Sequence, residues 1–208
     1  MIKEEILNIT KKINEFGLVK GTWGNVSIKN GEKIYITPSG VPYDILKEND
    51  IVEVDLEGNI LSGKNPSSEL PTHLKIYAAR ADVKVVIHTH PIYSTAVSLI
   101  VDHIPSLVED SVMLLGSKIN VAEYALPGTK RLGENSVYAL GSNNAVILKN
   151  HGIITVGETS SEALVASLIC EKTAQIFLEA LKSGLKISEI SSEDSSILRG
   201  KYLSSYRQ

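Results

Sequence analysis

The stretch VKVVIHTHP, residues 83–91, gives the clearest indication of the fold. Its first five residues form an apolar run that only Lys84 interrupts, which is typical of a strand buried on both faces. The run ends at a His-x-His pair followed by Pro91. Because side chains alternate along a strand, His88 and His90 are expected to point to the same face. The stretch therefore predicts a buried strand that carries two imidazoles at its end.

The pattern on either side alternates between strands and helices. Strands are predicted at residues 26–29, 33–37, 51–56, 60–61, 145–149 and 153–156. Helices are predicted at residues 2–16, 69–81, 92–101, 129–140 and 159–182, whereas residues 104–128 give no clear pattern and residues 187–208 have weak helical character. No repeat or low-complexity linker divides the chain. We expect one α/β domain over residues 1–208, with a mixed sheet and a variable tail from about residue 185.

Composition excludes several classes of protein. The chain has 208 residues, a formal net charge of −3 and one cysteine, Cys170. No run of Lys and Arg exceeds two residues, which argues against a nucleic-acid or anionic membrane surface. A lone cysteine precludes an intramolecular disulfide, and no apolar run approaches the roughly 18 residues of a membrane span. These features predict a cytoplasmic protein.

A third histidine, His151, follows another apolar strand. If the two strand ends are neighbours, three imidazoles converge, and three protein ligands with one open position are typical of a catalytic zinc site. Glu69 is a possible fourth ligand, as is His73 one turn later on the same predicted helix. The alternative is that the rings only bond to backbone or water. His103 lies in a loop-like stretch and is expected to be structural.

Three segments of small polar residues beside glycine or proline predict an anion site. They are Gly24-Asn25, Thr37-Pro38-Ser39-Gly40 and Pro66-Ser67-Ser68. Glycine allows close backbone approach, and the serines precede a predicted helix whose N-terminus favours a phosphate. The alternative is that these are ordinary turns and that Ser68 only caps the helix. Glu69 is either a metal-bound base or a first-turn carboxylate that complements the helix dipole.

Taken together, five segments resemble the class II aldolase and adducin family, and within it most closely the branch of bacterial L-fuculose-phosphate aldolases. They are residues 21–27 (GTWGNVS), 36–43 (ITPSGVPY), 66–69 (PSSE), 88–90 (HTH) and 150–152 (NHG). The resemblance covers roughly residues 5–180. It implies a three-layer α/β/α sandwich around a mixed, mostly antiparallel sheet. It also implies a four-fold symmetric homotetramer with sites between neighbouring subunits.

By position, the resemblance assigns roles to individual residues. Glu69, His88, His90 and His151 match the metal ligands, and Glu69 also matches the acid/base. Gly24, Asn25, Ser39, Gly40, Ser67 and Ser68 match the residues that bind the substrate phosphate, and these six residues are called the phosphate cradle below. His73 lies outside the family's ligand set and is interpreted as supporting or structural.

The resemblance implies a metal-dependent lyase. The expected reaction is reversible cleavage of a ketose 1-phosphate, either L-fuculose 1-phosphate or a 5-deoxypentulose 1-phosphate, to dihydroxyacetone phosphate and an aldehyde. Zn²⁺ is the expected Lewis acid, with Mn²⁺ and Co²⁺ left open because ligand type does not separate them. No Schiff-base lysine is required. Glu69 is expected to exchange the proton on the dihydroxyacetone phosphate carbon.

One departure from the fuculose branch keeps other activities open. That branch carries a tyrosine, contributed by the neighbouring subunit, where this chain has Glu109. A carboxylate is therefore expected to be the proton donor to the departing alkoxide. Glu109 and Asp110 are alternatively plain surface charges. The rival activities are those of L-ribulose-5-phosphate 4-epimerase and methylthioribulose-1-phosphate dehydratase. Tyr202 and Tyr206 are candidates for a further tyrosine from the tail, and neither is assigned.

A rival from another class is a non-catalytic interaction domain like the adducin heads. The retained metal-ligand pattern argues against it.

Overall fold

A mixed sheet with helices on both faces organises the chain. The computed structural model describes the backbone of residues 1–206 and the side chains of residues 1–205. The strands in this part are β1 (Asn25–Asn30), β2 (Lys33–Ile36), β3 (Val52–Asp55), β4 (Ile60–Ser62), β5 (Val85–Thr89), β6 (His103–Ile104), β7 (Ile119–Ala122), β8 (Ala145–Leu148) and β9 (Gly152–Gly157). The helices are α1 (Ile2–Glu15), α2 (Leu70–Ala79), α3 (Ile92–Val97), α4 (Glu109–Leu115), α5 (Lys130–Leu140), α6 (Ser160–Lys182) and α7 (Ser192–Lys201), followed by a π-helical turn at Tyr202–Tyr206.

The strand order places the His-x-His strand at the centre of the sheet. The order across residues 1–206 is β4-β3-β2-β1-β5-β9-β8-β7-β6, and every pair in that part is antiparallel except β7–β8. The prediction of a mixed, mostly antiparallel sheet is confirmed. All five residues of β5 are buried, as the apolar run predicts. In the antiparallel registers, His88 pairs with Asn25 on β1 and with Ile154 on β9.

Helices cover the sheet on both sides. Successive residues of β5 point to opposite faces, so Val86 and Ile87 belong to different apolar cores. The core around Val86 includes Ile76 of α2 and Leu132 of α5. The core around Ile87 includes Ile6 of α1, and α6 packs against β5 and β9 on the same side. The chain is therefore a three-layer α/β/α sandwich, as expected.

Several elements differ from the sequence-based prediction. The helix predicted over residues 92–101 ends at Val97. Residues 104–128, which give no clear pattern, contain the seven-residue helix α4 and the four-residue strand β7. Elements this short contain too few periods to be recognised from sequence. None of the helices in residues 1–206 has the length and apolar character needed to cross a membrane.

The N-terminus of α2 also differs from expectation. The N-cap is Glu69, and Ser68 is exposed, so the interpretation of Ser68 as the helix cap is wrong. Proline at the start of this helix is tolerated because the first N–H groups have no partner within the helix. The Ser67 hydroxyl accepts a hydrogen bond from Glu69 N at 3.3 Å, and Ser67 O accepts one from Leu70 N at 3.0 Å. Ser67 thus satisfies two of the N–H groups at this helix end.

Candidate active site

The structure brings together the three imidazoles that the sequence predicts to converge. His88 is in β5, His90 follows its end, and His151 lies in the turn between β8 and β9. The ring centroids are 4.7 Å apart for His88–His90, 4.7 Å for His88–His151 and 4.9 Å for His90–His151. One ligand nitrogen from each ring lies within 4.8 Å of the others. These three residues are called the histidine cluster below.

Glu69 completes the cluster from the N-terminus of α2. Its Oε2 lies 3.3 Å from His88 Nε2, and its Oε1 lies 3.3 Å from His151 Nε2. The sequence left Glu69 and His73 open as the fourth ligand. The imidazole of His73 instead bonds to Asn25 and Ser27. The carboxylate of Glu69 is therefore the group that meets the histidine cluster.

The hydrogen bonds of this group fit a bound cation. A backbone carbonyl only accepts, so His88 Nδ1 donates to Ile153 O at 2.8 Å and His88 Nε2 carries a lone pair. That lone pair faces Glu69 Oε2, which is buried without a hydrogen-bond partner among the described residues. His90 Nε2 lies 2.8 Å from His88 Nε2. Converging lone pairs on a carboxylate and imidazoles are the donor set that binds a divalent metal such as Zn²⁺.

Electrostatics favour the protonation states that metal binding requires. Burial lowers the pKa of His90 to about 3, assisted by the neighbouring His88, and burial likewise lowers the pKa of His88. Burial opposes ionisation of Glu69, but His88 and His151 outweigh it and lower the pKa of Glu69 to about 2. Neutral imidazoles of His88 and His90 beside an ionised carboxylate can ligate a cation without first losing protons.

Two glycines let the backbone segments of the site approach one another. Gly24 has φ of 119°, and a Cβ at this position would lie 2.9 Å from His88 O. A Cβ on Gly152, directly after His151, would collide with the carbonyl of Thr89. Side chains at these positions would separate the cradle and the His151 turn from the end of β5. The glycines of both motifs are therefore required by packing.

The three predicted cradle segments are also contiguous. Thr37 bonds through its backbone N–H to Val26 O at 3.0 Å, and its hydroxyl accepts from Val26 N at 3.2 Å. Ser67 N donates to Thr37 O at 3.0 Å, and Ser39 N donates to Asn65 O at 3.0 Å. Hydrogen bonds thus join Val26, directly after the Gly24-Asn25 segment, to Thr37, and join residues 37–39 to residues 65–67. Glu69 follows directly, so the cradle leads into the histidine cluster.

Other predicted residues lie elsewhere in the chain. Glu109 is exposed at the start of α4, and no hydrogen bond or ion pair among the described residues joins it to the histidine cluster. Asp110 forms an ion pair with Lys172. Tyr202 donates a hydrogen bond to Glu162 at 3.1 Å. His103 is exposed in β6, as expected for a residue outside the site. The side chain of Tyr206 is outside the described residues.

Trp23 lies near the site, and no role is predicted for it from the sequence. Its indole is 68% exposed, and its ring centroid lies 6.2 Å from that of His90. Its position inside the GTWGNVS motif, beside the cradle residues Gly24 and Asn25, is the signal that would have found it. The exposed indole therefore borders the histidine cluster beside His90.

An α/β/α sandwich that brings Glu69 and three imidazoles together fits the class II aldolases, which depend on a metal. The chain belongs to the Class II Aldolase and Adducin N-terminal domain family, whose model matches residues 4–178. It is therefore an enzyme, an aldolase of the lyase class.

Named relatives agree with this assignment. The chain is 38% identical over 178 residues to the L-fuculose phosphate aldolase of Methanocaldococcus jannaschii, covering 86% of this chain and 96% of that protein. It is 33% identical over 201 residues to the L-fuculose phosphate aldolase of Escherichia coli K12, covering 97% and 94%. A solved structure of an L-fuculose 1-phosphate aldolase superposes with a TM-score of 0.93 at 33% identity, covering 97% of this chain and 96% of that one.

Proposed function

We propose that this enzyme cleaves a ketose 1-phosphate reversibly to dihydroxyacetone phosphate and an aldehyde. L-Fuculose 1-phosphate is the first candidate substrate and a 5-deoxypentulose 1-phosphate the second. The observation that carries the proposal is the position of Glu69, whose carboxylate contacts His88 and His151 while its backbone continues from Ser67 and Ser68 of the cradle. A phosphate in the cradle places the neighbouring carbons of the substrate at that carboxylate.

The phosphate cradle orients the substrate in this mechanism. Glu69 N and Leu70 N are already bonded within the turn. The serine hydroxyls and the side-chain amide of Asn25 are therefore the donors proposed for the phosphate oxygens. Ser39, Gly40 and Ser68 are exposed, so the substrate phosphate enters from solvent.

Glu69, His88, His90 and His151 are the residues that would hold the metal, with Zn²⁺ proposed and Mn²⁺ or Co²⁺ as alternatives. When bound, the cation supplies a Lewis acid at the substrate carbonyl and its adjacent hydroxyl. Glu69 carries the proton step. In condensation its carboxylate removes a proton from the carbon that attacks the aldehyde. In cleavage it takes up a proton from solvent and passes it to the carbon that loses its bond to the aldehyde. The pKa of about 2 leaves Glu69 ionised at neutral pH, so it enters condensation as the proton acceptor.

Glu109 is proposed to exchange a proton with the aldehyde oxygen from a neighbouring copy of the chain. It is exposed at the start of α4, where it is available to a second subunit. We further propose a cytoplasmic homotetramer with active sites between subunits, as the family resemblance and the composition imply. Asp110 takes no part in this proposal because it is paired with Lys172.

The test is release of dihydroxyacetone phosphate from L-fuculose 1-phosphate by the zinc-loaded protein. We expect release that disappears on chelation and in Glu69→Gln. Zinc content measured on both proteins separates a lost base from a lost metal. A zinc-loaded protein that releases no dihydroxyacetone phosphate from L-fuculose 1-phosphate or from a 5-deoxypentulose 1-phosphate would refute the proposal. Interconversion of L-ribulose 5-phosphate, or dehydration of methylthioribulose 1-phosphate, would then identify the rival activity.

A further inference from the structure

A buried chain of hydrogen bonds leads to the cradle residue Asn25. Asn25 Oδ1 lies 2.5 Å from His73 Nε2, and His73 Nδ1 lies 2.6 Å from Ser27 Oγ. Ser27 Oγ lies in turn 2.7 Å from the hydroxyl of Tyr77. The exposed fraction is 0% for His73 and Ser27 and 4% for Asn25 and Tyr77. These four residues are called the Asn25 relay below.

The two hydrogen bonds of the His73 ring have a defined direction in this structure. An amide oxygen only accepts, so His73 Nε2–H donates to Asn25 Oδ1. With the ring proton on Nε2, the neutral ring of His73 accepts at Nδ1. Ser27 is the donor to that nitrogen. The Tyr77 hydroxyl lies 2.7 Å from Ser27 Oγ and also has two carbonyl oxygens as acceptors, Ser27 O at 3.0 Å and Lys84 O at 3.3 Å. The protons therefore point from Ser27 through His73 to Asn25.

The tautomer of His73 and the orientation of the Asn25 amide are coupled. An asparagine amide can rotate by half a turn and exchange its oxygen and nitrogen at little cost in shape. In the structure Oδ1 points inward to the N–H of His73, so this amide orientation and the Nε2–H tautomer of His73 require one another. The Nδ2 group, with its two N–H donors, is then the free end of the side chain. The opposite orientation would present a carbonyl oxygen to an anionic phosphate.

We propose that His73 is a positioning residue that holds the Asn25 amide with its N–H donors toward the substrate phosphate. This inference rests on the proposed function, since it takes the cradle as the phosphate site. It extends that function to a residue outside the cradle and the metal ligands. His73 lies one turn after Glu69 on the same helix, so α2 supplies the base and also fixes an anion ligand on a neighbouring strand.

Binding of inorganic phosphate to the zinc-loaded protein, measured by titration calorimetry, tests the relay. The variants are Asn25→Ala, His73→Phe and His73→Gln, in which the glutamine amide keeps a donor near the position of Nε2. We expect Asn25→Ala and His73→Phe each to weaken phosphate binding about tenfold, as for loss of one charge-assisted hydrogen bond. His73→Gln is expected to stay within about twofold of the original protein, and His73→Phe to add nothing in the Asn25→Ala background.

Two further readouts separate positioning from a purely structural role. With L-fuculose 1-phosphate, His73→Phe is expected to raise KM about tenfold with little change in kcat. The chain has five histidines, so nitrogen chemical shifts can report the tautomer of His73. We expect the Nε2–H tautomer, and Ser27→Ala is expected to weaken phosphate binding because it removes the donor to Nδ1. The Nδ1–H tautomer would overturn the relay even if His73→Phe does not fold.

The outcomes also separate this inference from the proposed function. Phosphate binding that depends on Asn25 and His73, in a protein that releases no dihydroxyacetone phosphate, would refute the aldolase substrate and leave the relay intact. Dependence on Asn25 without dependence on His73 would refute the relay alone. Phosphate binding insensitive to Asn25→Ala would place the anion elsewhere, for example on the metal, and would refute the relay together with the cradle.

Discussion

Asn25 and His88 are directly opposite one another in the antiparallel pair of β1 and β5. Side chains of directly opposed residues point to the same face of a sheet. A proposed phosphate ligand and a proposed metal ligand therefore lie side by side in the middle of the sheet. Glu69 approaches His88 from the start of α2, and His73 of that helix bonds to Asn25, because the helix packs over that face. This register explains how the proposed phosphate cradle comes to lie beside the histidine cluster.

The proton step assigned to Glu69 predicts a defect in a half-reaction. Glu69→Gln is expected to slow exchange of the hydroxymethyl proton of dihydroxyacetone phosphate with deuterated solvent by about 10²–10⁴-fold, because the base is lost. Proton NMR of dihydroxyacetone phosphate with zinc-loaded enzyme measures this exchange. Glu109→Gln serves as the matched control, since it is proposed to act on the aldehyde oxygen. It should slow cleavage and leave exchange intact. Normal exchange in Glu69→Gln would contradict the assignment.

The donor set of the histidine cluster predicts a large effect of metal on stability. A ligand present at 100 times its Kd stabilises the folded state by about 2.7 kcal/mol. Zinc at that ratio is therefore expected to raise Tm by several degrees, and His88→Ala is expected to abolish both the rise and stoichiometric binding. Thermal unfolding with and without chelator measures this change in Tm. His103→Ala is the control, because His103 is exposed outside the cluster. Loss of the zinc effect in this control would argue for a different site.

The shared-site proposal predicts complementation between two inactive variants. Glu69→Gln and Glu109→Gln are each expected to be severely impaired alone. If sites form between neighbouring copies in a closed ring, random mixing restores about one quarter of the sites, because half the chains keep Glu69 and half of their neighbours keep Glu109. Activity after unfolding and refolding the mixture measures this. No recovery, in a mixture shown to contain hybrid oligomers, would mean that both residues act within one chain or that Glu109 is not involved.

The close approach at Gly24 predicts an unequal cost for two alanine substitutions. In Gly24→Ala the new Cβ would lie 2.8 Å from Val19 Cγ1 and 2.9 Å from His88 O, at a φ of 119°. We expect a loss of about 2–4 kcal/mol in the free energy of unfolding, from overpacking added to backbone strain. Gly21→Ala is the control, because φ is 61° there and no atom lies within 4 Å. It should cost about 1–2 kcal/mol from backbone strain alone.

Urea denaturation of the metal-free proteins separates these two costs from effects on metal binding. Equal losses in the two variants would contradict the packing argument at Gly24. A loss of zinc affinity in Gly24→Ala but not in Gly21→Ala would support it, since the first substitution pushes on the backbone of His88.

The tight turn before His151 predicts different stabilities for two substitutions of Asn150. Asn150 has φ of 57°, and its N–H donates to Ser98 Oγ at 3.0 Å. Asn150→Gly is expected to change the free energy of unfolding by less than about 1 kcal/mol, whereas Asn150→Ala should cost about 1–2 kcal/mol. Denaturant titration of both variants, with zinc stoichiometry as a second measurement, checks this. An alanine variant as stable as the glycine variant would show that the left-handed backbone is not maintained in solution.

Much of this protein is determined by its sequence. The apolar run before His88 and the apolar strand before His151 place three imidazoles at strand ends, because alternation and burial depend on neighbouring residues in the chain. The glycine and serine segments predict an anion cradle for the same local reason. Taken with the family resemblance, these motifs also predict the α/β/α sandwich. The short elements α4 and β7 are not predicted from the sequence, because they contain too few residues to show a period.

Which side chains contact one another depends on the tertiary structure. Glu69 and His73 lie on one turn of the same helix, and the sequence left both open as metal ligands. The register of β1 against β5 and the packing of α2 over that face direct Glu69 to His88 and His73 to Asn25. The same packing made Ser67, and not Ser68, the residue that satisfies the helix end. Such contacts join residues that are distant in the chain, so strand order and register determine them and local sequence periodicity does not.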